Sequence, residues 1–544
     1  METVPLKIIL YDKGYIEKSK LPPKQLLWLQ KNFTHNNPLY DFYVKNKFST
    51  RGINKYIESY LENEEWFIFP VGAINSILKF FNFYQFPYEV IDKRQEGKDI
   101  DISFNSINPD TNQEIIWEDY QEEAFQAMLQ TKWSNGLLQL PPGAGKTLLA
   151  IRYICEIKKN SLIIVHENRL VNQWKSEIET RVRGNYTVEI FSGSEGHKFG
   201  DITIVLIQSG HKYVQFYEEY TQFGCVIVDE CHHSNSMMFD KLLNNLPAKR
   251  KFGLSGTLKR KDKMDFLIPL YLGEKVVDIP DSKTKSRIMD FSVEFINTNC
   301  SFELPIRETN KRYKVIEEFY DEDNEENPIN FTALYELITG FKGFEFYSGI
   351  RKEELLEIGN QGIAGKRNRL ILQKVKQDID AGYKVLILTN RKAHSLWLLY
   401  SLQDLGYNGV SFTNDSKTKE TVDFNSLREG LDERDGFEKI DFIVSTEKIA
   451  SEGLDITDLS SIHILIPTTN QYKLKQCLGR VRRYKKNKMV PVVRDYVDTQ
   501  AFTINTDNSS FANLFNNNSQ KDYFYIASKM RLNFYKKWRN DYYN

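Results

Sequence analysis

One stretch of the sequence combines glycines, a lysine and a threonine at the spacing used to hold phosphate groups. In LLQLPPGAGKT, an apolar run is followed by Gly143, Ala144, Gly145, Lys146 and Thr147. Glycines let backbone N–H groups close on phosphate oxygens, and the N-terminus of the next helix adds its positive end. Lys146 would reach the β- and γ-phosphates, and Thr147 would ligate Mg²⁺. The stretch predicts a nucleotide-phosphate loop, with Leu140 where the usual motif begins with glycine.

A second stretch, VIVDECHHSN, ends a β-branched run with two adjacent carboxylates, Asp229 and Glu230. A surface turn is one explanation, and a metal site built from Cys231, His232 and His233 is another. Adjacent residues do not supply tetrahedral ligand spacing, and no second ligand pair is present. In a phosphate-loop fold, a second strand must deliver a carboxylate to Mg²⁺, and a neighbouring carboxylate can polarise the attacking water. The favoured interpretation assigns Asp229 to Mg²⁺ and Glu230 to the water.

These side chains need strands that end next to one another. Apolar runs alternate with amphipathic helical patterns from about 113 to 285 and again from about 366 to 500, which is typical of parallel α/β sheets. The first block contains GLLQL, SLIIV, ITIVLI, CVIVD and KFGLS, and the second contains KVLILT, DFIVS, SIHILIP and PVVRDYV. The predicted fold class is therefore α/β, with two tandem parallel-sheet lobes, 113–285 and 366–500.

The rest of the chain divides into three further parts. Residues 1–112 are predicted to form a small accessory domain, 286–365 a linker and helical insertion, and 501–544 a helical tail. The 544 residues include 73 basic and 73 acidic side chains, so a strongly basic DNA-coating protein is excluded, whereas a local basic cleft is not. Five cysteines without a CxxC pair argue against a disulfide framework or a zinc ribbon.

The chain begins without a signal-peptide layout, and no apolar run approaches the roughly 18 residues needed to span a bilayer. We therefore expect no membrane partner. The predicted location is the cytoplasm of a bacterial or phage-infected host cell, with a nucleus not excluded.

The ordered motifs resemble those of superfamily 2 helicases, in particular XPB-type DNA translocases and phage recombination helicases of the UvsW type. The resemblance is strong in the two sheet blocks and implies two RecA-like lobes. WEDYQ resembles the adenine-reading glutamine motif, with Gln121 on the base, and LPPGAGKT resembles motif I. DECH resembles motif II and GLSGT resembles motif III. The resemblance implies that His232, Ser255 and Thr257 couple the nucleotide site to lobe closure.

The second block completes the motif set. QCLGRVRR resembles motif VI, whose Q-x-x-G-R-x-x-R spacing is matched by Gln476, Gly479, Arg480 and Arg483. By this resemblance, Arg480 and Arg483 neutralise charge on the transferring phosphoryl group, and Gln476 couples the lobes. STEKIASEGLDI resembles motif V, in which Gly453 and Asp455 are assigned to the nucleotide.

The resemblance also nominates side chains that contact nucleic acid. They are Gln173 in motif Ia, Gln208 and Ser209 in the next loop, Arg260 and Asp262 just past motif III, Arg391 in motif IV and Thr446 in motif V. Arg260 and Asp262 flank Lys261, an arrangement like the Arg-Glu-Asp element of XPB-type translocases.

Two flanking segments each allow two interpretations. NPLYDFYVKNKFSTRGINKY interleaves basic and aromatic residues, which suits tracking of a nucleic-acid strand; alternatively, its aromatics, including Phe42 and Phe48, are the core of a small α/β domain. The tail brings near one helical face Phe524, Ala527, Met530, Phe534 and Trp538. Packing of that helix on a lobe is favoured over contact with DNA.

The predicted protein is an ATP-driven, Mg²⁺-dependent motor that acts on single-stranded, duplex or branched DNA in replication, recombination or repair. We expect a monomer, with recombination or replication proteins as candidate partners. RNA is an alternative ligand, although the Asp-Glu-Ala-Asp and Pro-Thr-Arg-Glu-Leu sequences typical of RNA helicases are lacking. A nucleotide-switched binding or transcript-release factor is the alternative from another class. Such a factor would carry damaged catalytic positions, and here they are intact.

Overall fold

The computed structural model of the chain describes most of its residues. They are 5–45, 47–108, 112–192, 196–214, 218–233, 236–260, 262–280, 282–284, 289–300, 302–303, 306–309, 312–315, 331–341, 351–412, 440–452, 458–484, 487–498, 502–503 and 523–543. The chain divides into two compact units, Met1–Lys283 and Thr284–Asn544. Among the described helices, none is long and apolar enough to cross a bilayer.

The first unit begins with a small five-stranded sheet. Its strands lie in the order Leu61–Glu62, Trp66–Phe69, Gly14–Glu17, Leu6–Leu10 and Tyr88–Asp92, and only the last pair is parallel. Alternate side chains of Leu6–Leu10 are fully buried, as expected for a sheet with one covered face. The surrounding elements are the helices Lys18–Lys20, Pro23–Asn32, Pro38–Lys45, Val71–Ala73 and Ile74–Phe83 and the hairpin of Thr34–Asn36 with Tyr56–Glu58.

The central sheet of the first unit has eight described strands, of which seven are parallel. In spatial order they are Gly196–His197, Val188–Ser192, Ile202–Leu206, Ser161–Val165, Cys225–Val228, Arg250–Ser255, Asn135–Gln139 and Lys275–Asp278. The first of these is the antiparallel strand. All five side chains of Ser161–Val165 are buried, because helices cover both faces of a parallel sheet.

The helices of this sheet include five that carry predicted site residues. The set comprises Asp119–Gln130, Lys146–Ile157, Asn168–Arg181, Ile207–Tyr213, Glu218–Gln222, Cys231–His233, Ser236–Leu243, Asp265–Leu267 and Ile268–Leu272. A short antiparallel pair, Asp101–Phe104 with Val182–Asn185, lies beside it, as does the pair Ile107–Asn108 with Gln113–Glu114.

The N-terminal sheet and the central sheet join closely. A Cβ atom added to Gly72 would lie 2.6 Å from backbone atoms of Leu270 and Tyr271, so two backbones meet there without room for a methyl group. The buried side chain of Arg94 donates to the carbonyl oxygens of Trp133 and Lys249 at 2.9 and 3.0 Å. The two sheets therefore share one packed junction within the first unit.

The second unit is built on a six-stranded parallel sheet. In spatial order its strands are Ser292–Asn297, Val492–Val497, Ser461–Ile464, Val385–Leu388, Phe442–Ser445 and Gly409–Phe412. Its described helices are Phe331–Thr339, Lys352–Gly359, Gly362–Asp380, Lys392–Asp404, Glu447–Glu452, Gln471–Val481 and Tyr523–Tyr543. Two short strand pairs accompany them, Phe302–Glu303 with Phe502–Thr503 and Ile306–Thr309 with Arg312–Val315.

Buried ion pairs hold this second sheet to its helices. Arg367 donates to both carboxylate oxygens of Asp498 at 2.9 and 3.1 Å, and both side chains are almost fully buried. Arg494 and His463 contact the buried Asp378, at 2.6 and 3.0 Å. Burying these charges is tolerable only because each has a close partner of opposite charge or a hydrogen bond.

The predicted α/β fold with two parallel-sheet lobes is confirmed, and two of the predicted packing details are wrong. Phe42 and Phe48 are 54% and 40% exposed rather than core residues. Phe42 lies on the helix Pro38–Lys45, which buries no side chain, and Phe48 follows that helix. The two rings contact one another.

In the tail helix, Trp538 joins the core of the second sheet and Phe534 packs against it, as the packing interpretation predicted. Ala527 is buried, but Met530 is 38% exposed. Arg531 occupies the buried face in its place because Asp495 neutralises it. The side chain of Phe524 lies outside the described residues.

Candidate active site

The phosphate loop depends on two glycines in the left-handed region. Gly143 and Gly145 have φ values of +80° and +85°, which cost other residues energy. The helix Lys146–Ile157 starts immediately after them, so its unpaired N–H groups and positive end face the loop. Ala144 between the glycines is fully buried. The loop therefore has the backbone shape and the helix terminus that bind a phosphate.

Gln121 supports this loop from the preceding helix. Its side chain is fully buried, and its amide nitrogen donates to the carbonyl oxygen of Ala144 at 2.9 Å. The amide oxygen accepts from the backbone N–H of Glu118 at 3.1 Å, which completes a capping box. Any Cβ at Gly145 would lie 2.6 Å from the Gln121 amide nitrogen. The structure thus places Gln121 against the loop, and its contact with a base stays a prediction.

The two carboxylates follow the strand Cys225–Val228, and one of them reaches the phosphate loop. Lys146 Nζ donates to Glu230 Oε1 at 2.8 Å. Glu230 itself has a φ of +43°, an unfavourable conformation for a residue with a side chain. This strained turn brings Glu230 to the lysine, while Asp229 accepts a hydrogen bond from Trp174 Nε1 at 2.9 Å.

Asp229 lies in a site that makes its carboxylate harder to ionise than a carboxylate in water. It is 7% exposed, and burial together with the adjacent Glu230 raises the pKa of Asp229 to about 6, against the opposing effect of Lys146. A divalent cation beside it would reverse this shift and hold the carboxylate ionised. Thr147 and Asp229 offer a hydroxyl and a carboxylate oxygen, the ligand types that Mg²⁺ prefers. The residues present therefore fit a magnesium ion.

The second oxygen of Glu230 connects to the strand Arg250–Ser255. Oε2 accepts from the backbone N–H of Gly256 at 3.3 Å and lies 3.4 Å from Ser255 Oγ. His232 Nδ1 lies 2.7 Å from the same hydroxyl. The Ser255 hydroxyl also contacts the carbonyl oxygen of Thr257. Four residues of two predicted motifs thus form one hydrogen-bonded group, which we call the carboxylate network: Glu230, His232, Ser255 and Thr257.

Burial keeps the histidine of this network uncharged. It lowers the pKa of His232 to about 4, although the nearby Glu230 acts in the opposite direction. At neutral pH the imidazole is therefore a hydrogen-bond donor and acceptor without charge, which suits a residue that transmits a change of position between two strand ends.

The alternative metal cluster at this turn finds no support in the described side chains. Cys231 is fully buried in the apolar core and burial raises the pKa of its thiol, so the thiolate that binds a metal is disfavoured. Within the part of the chain that the structure describes, no group of three His, Cys, Asp or Glu residues is arranged to hold a metal ion. The side chain of His233 is not among those described.

The predicted nucleic-acid contacts of the first unit differ in exposure. Arg260 donates to both oxygens of Asp262 at 2.9 and 2.6 Å, and only 7% of its side chain is exposed. The Arg260 guanidinium also lowers the pKa of Asp262. Gln208 is exposed but donates to the carbonyl oxygen of His166 at 2.9 Å, and Ser209 is buried. Partly exposed Gln173 lies on the helix Asn168–Arg181.

The candidate arginine fingers lie at the end of one helix of the second unit. Arg480 is in the last turn of Gln471–Val481 and Arg483 follows it, and both are partly exposed. Gln476, on the same helix, is buried. The helix and the residues that end it, 471–483, are called the finger segment below.

The remaining predicted residues of the second unit are only partly described. Arg391 forms an ion pair with Glu336 at 3.2 Å. Thr446 precedes the helix Glu447–Glu452, and its hydroxyl accepts from the N–H of Ile449 at 3.4 Å. Gly453 and Asp455 lie outside the described residues. Contact of Arg391 and Thr446 with nucleic acid stays a prediction.

Several contacts at the site were missed by sequence reasoning. Trp174, which directly follows Gln173 of motif Ia, has no role predicted from the sequence, yet its indole N–H donates to Asp229. Arg152 stacks on Trp117 and Phe125, with 4.4 and 3.8 Å between the guanidinium carbon and the ring centroids. The tryptophan next to Gln173 was the available signal for the first contact, because an indole N–H needs a partner when buried.

Two family models match the chain, one in each sheet block. Residues 114–260 match the model described as type III restriction enzyme, res subunit. Residues 366–485 match the helicase conserved C-terminal domain. The two matches contain the phosphate loop and the finger segment, respectively.

The chain is similar to several helicases. A putative ATP-dependent RNA helicase of Acanthamoeba polyphaga mimivirus is 24% identical over 90% of this chain and 83% of its own length. The DNA 3'-5' translocase XPB2 of Sulfurisphaera tokodaii is 30% identical over 36% of this chain, which spans 44% of that relative's length. A crystal structure of T4 UvsW aligns with 99% of this chain and 98% of its own at 16% identity, with a TM-score of 0.38, too low to carry an argument.

Proposed function

We propose that the chain, as a superfamily 2 helicase and ATP-hydrolysing enzyme similar to XPB translocases, moves along or remodels DNA. The observation that carries the catalytic part is the contact of Lys146 with Glu230 at 2.8 Å, continued through Glu230 to Ser255 and His232. These groups come from different strand ends and meet only in the folded sheet.

Lys146 and three members of the carboxylate network, which are Glu230, Ser255 and His232, each have a proposed task in hydrolysis. Lys146 exchanges its contact with Glu230 for the β- and γ-phosphates of ATP, which frees the carboxylate. Glu230 then orients the attacking water and accepts its proton. Ser255 and His232 sense this exchange, because Ser255 Oγ and His232 Nδ1 lie 3.4 and 3.5 Å from Glu230 Oε2. Hydrolysis is thereby coupled to movement of the strand Arg250–Ser255.

Magnesium is the proposed cofactor. Thr147 would hold it through its hydroxyl, and Asp229 mainly through water. Bound Mg²⁺ supplies charge neutralisation on the phosphate oxygens. Asp229 is fixed for this task by the Trp174 indole, so its carboxylate keeps one orientation whether or not it is ionised.

The other site assignments are proposed from the motif resemblance. Arg480 and Arg483 neutralise charge on the transferring phosphoryl group, and Gln476 couples that segment to nucleotide binding. The domain division is also part of the proposal: 1–112, 113–285, 286–365, 366–500 and 501–544.

DNA is favoured over RNA by two features. The pair Arg260 and Asp262 follows motif III as in XPB-type translocases, and the 30% identical relative is named a DNA translocase. RNA is the second candidate ligand because the relative matched over 90% of the chain is named an RNA helicase.

The N-terminal domain is proposed to add a contact to a nucleic-acid strand. Phe42, Tyr43 and Phe48 form an exposed or half-exposed ring cluster, with centroids 5.7 to 6.2 Å apart. Lys47 and Arg51 are exposed nearby in the sequence. Bases stack on rings and phosphates pair with cations, so binding should weaken as salt is raised.

The test is ATP turnover by the full-length chain with a panel of single-stranded, duplex, forked and branched DNA and single-stranded RNA. We expect stimulation by DNA to exceed stimulation by RNA. Glu230→Gln is the matched control, because it should bind nucleotide and DNA yet show no stimulated turnover.

Each other outcome identifies an alternative. A larger response to RNA than to any DNA would make the protein an RNA helicase. Nucleotide-dependent DNA binding without turnover would make it a switched clamp and would contradict the motor function.

A further inference from the structure

The C-terminal helix Tyr523–Tyr543 contacts the end of the finger segment and the turn that precedes its start. Three buried side chains of this helix, Arg531, Tyr535 and Trp538, are spaced at i, i+4 and i+7 and therefore lie on one face. Arg531 reaches the turn before the finger segment, and Trp538 reaches the end of the segment. None of these contacts was expected from the motifs.

At the end of the segment, Trp538 holds Arg482. The guanidinium carbon of Arg482 lies 4.7 Å from the Trp538 ring centroid and 4.5 Å from that of Phe291, so the planar group is held by two rings. Arg482 also donates through Nε to the carbonyl oxygen of Met289 at 2.8 Å. This arginine is 3% exposed. It is thus a structural residue, unlike the partly exposed arginines beside it in the sequence.

The position of Arg482 in the chain makes this grip relevant to the fingers. It lies two residues after Arg480 and directly before Arg483. Its backbone is fixed as well, because the Met289 N–H donates to the Arg482 carbonyl oxygen at 2.7 Å. With Arg482 fixed, both neighbouring side chains start from a defined backbone.

At the start of the segment, Arg531 contacts the turn that caps the helix. Its Nη1 donates to the carbonyl oxygen of Thr468 at 3.3 Å. The Thr468 hydroxyl accepts from the N–H of Asn470 at 3.1 Å. Asn470 in turn accepts from the N–H of Lys473 at 3.2 Å and so caps the helix. The first turn of the finger segment is therefore tied to the C-terminal helix.

The C-terminal helix is itself anchored to the second sheet. Arg531 forms a two-point contact with the buried Asp495 at 2.8 and 2.7 Å, and the Tyr535 hydroxyl donates to the same carboxylate at 2.9 Å. Asp495 lies in the strand Val492–Val497. The C-terminal helix thus connects the finger segment to a strand of the second sheet.

From this geometry we propose that Trp538 and Arg531 are positioning residues for the arginine fingers. The C-terminal helix, which we call the brace, fixes the backbone from which the side chains of Arg480 and Arg483 extend. The proposal rests on the finger role given under Proposed function. Displacing a charge-stabilising group by about 1 Å can cost about 10²-fold in rate. Loss of the brace should therefore reduce kcat far more than the affinity for ATP.

The experiment compares four full-length chains: wild type, Trp538→Ala, Trp538→Phe and Lys536→Ala. The last is the matched control, because Lys536 is exposed on the same helix. For each we would measure kcat and KM for ATP at saturating DNA, nucleotide affinity and the melting temperature. Trp538→Ala should lose ~10- to 100-fold in kcat with KM and nucleotide affinity nearly unchanged. Trp538→Phe should recover most of the loss, because it keeps a ring over Arg482.

A second variant, Arg482→Lys, covers the case in which Trp538→Ala does not fold. It keeps the charge and removes the planar group that the rings hold, so it should show the same selective loss of kcat.

Unchanged kcat in folded Trp538→Ala or in Arg482→Lys would overturn the brace, as would a loss that Trp538→Phe does not relieve. A wild-type chain without DNA-stimulated turnover would instead overturn the proposed function, and the brace with it.

Discussion

The two parallel sheets place their candidate catalytic groups in different ways. In the first sheet the groups contact one another directly: Lys146 holds Glu230, and Glu230 reaches Ser255. In the second sheet the contacts that position Arg480 and Arg483 are made by other residues, among them Trp538 and Arg531. In the first sheet, a catalytic side chain is positioned by its own hydrogen bonds and ion pair. In the second sheet, the C-terminal helix positions the catalytic arginines through the backbone from which their side chains extend.

This difference between the sheets predicts which substitutions should change catalytic activity without also moving the neighbouring residues. In the first sheet, a substitution that changes chemistry also removes a contact that positions its neighbours. In the second sheet, chemistry and positioning reside on separate residues. They can therefore be altered one at a time.

The largest expected effect comes from the finger chemistry. Arg483→Ala should lower kcat by about 10³-fold or more while ATP and DNA affinity stay near wild type, because a finger acts mainly on charge in the transition state. Stopped-flow nucleotide binding and steady-state turnover would check this. The same variant should melt at the wild-type temperature, since Arg483 is partly exposed. A parallel loss of ATP affinity would show that Arg483 binds the ground state instead.

The corresponding change in the first sheet is Glu230→Gln, with an expected loss of ~10²- to 10⁴-fold in kcat. Unlike the arginine change, it also weakens the contact to Lys146, because a neutral amide replaces the carboxylate. We therefore expect tighter ATP binding than in wild type, since Lys146 no longer has to leave an ionic partner. Isothermal titration with a slowly hydrolysed ATP analogue would measure the affinity. Near-normal turnover would remove Glu230 from the water-orienting role.

A purely structural change should separate stability from activity in the second sheet. Arg367→Met leaves the buried Asp498 carboxylate without its partner, which should cost about 3–5 kcal/mol of unfolding free energy. Chemical denaturation followed by fluorescence would measure it. Lys376→Met, which removes an exposed ion pair with Asp380, is the control and should have no measurable effect. Equal stability of both variants would contradict the importance given to the buried pairs.

The smallest expected effect concerns Lys251, a fully buried lysine in the first sheet whose Nζ donates to the Leu243 carbonyl oxygen at 3.1 Å. Burial lowers the pKa of Lys251 to about 7 from 10.5. Between these values the unfolded chain binds the extra proton, so this group's contribution to stability rises with pH from 7 to about 10. Lys251→Met should therefore stabilise by about 2–4 kcal/mol at pH 7, and the gain should shrink toward pH 10. Melting curves of both chains at the two pH values would test this, and a gain independent of pH would contradict it.

The strands of both sheets could be predicted because their faces are covered on both sides. Continuous apolar runs such as SLIIV and CVIV became strands within one or two residues of the expected limits. The phosphate loop and the paired carboxylates could be predicted because their chemistry demands particular residue types in a fixed order. The glycines that adopt positive φ, Gly143 and Gly145, and the adjacent carboxylates Asp229 and Glu230 can be read directly from the sequence.

Contacts between distant segments could not be predicted in this way. Asp495 looks like an interruption in PVVRDYV until Arg531, 36 residues later, is seen to neutralise it. Phe42 and Phe48 were expected in a core because aromatics usually pack, but the short helix of Phe42 and the turn that carries Phe48 lie at the surface. The role of Gln121 against Ala144 depends on how closely two backbones approach, which composition and periodicity do not encode.

The close junction at Gly72 has a mechanical consequence. Backbone atoms of Leu270 and Tyr271 leave no room there for a methyl group, and the Arg94 guanidinium ties the N-terminal sheet to two carbonyl oxygens of the neighbouring sheet. Because the two backbones are in contact there, the N-terminal sheet cannot rotate against the phosphate-loop sheet without breaking these contacts. We therefore expect a ligand bound at the exposed rings of Phe42 and Phe48 to move together with the phosphate-loop sheet as one rigid body.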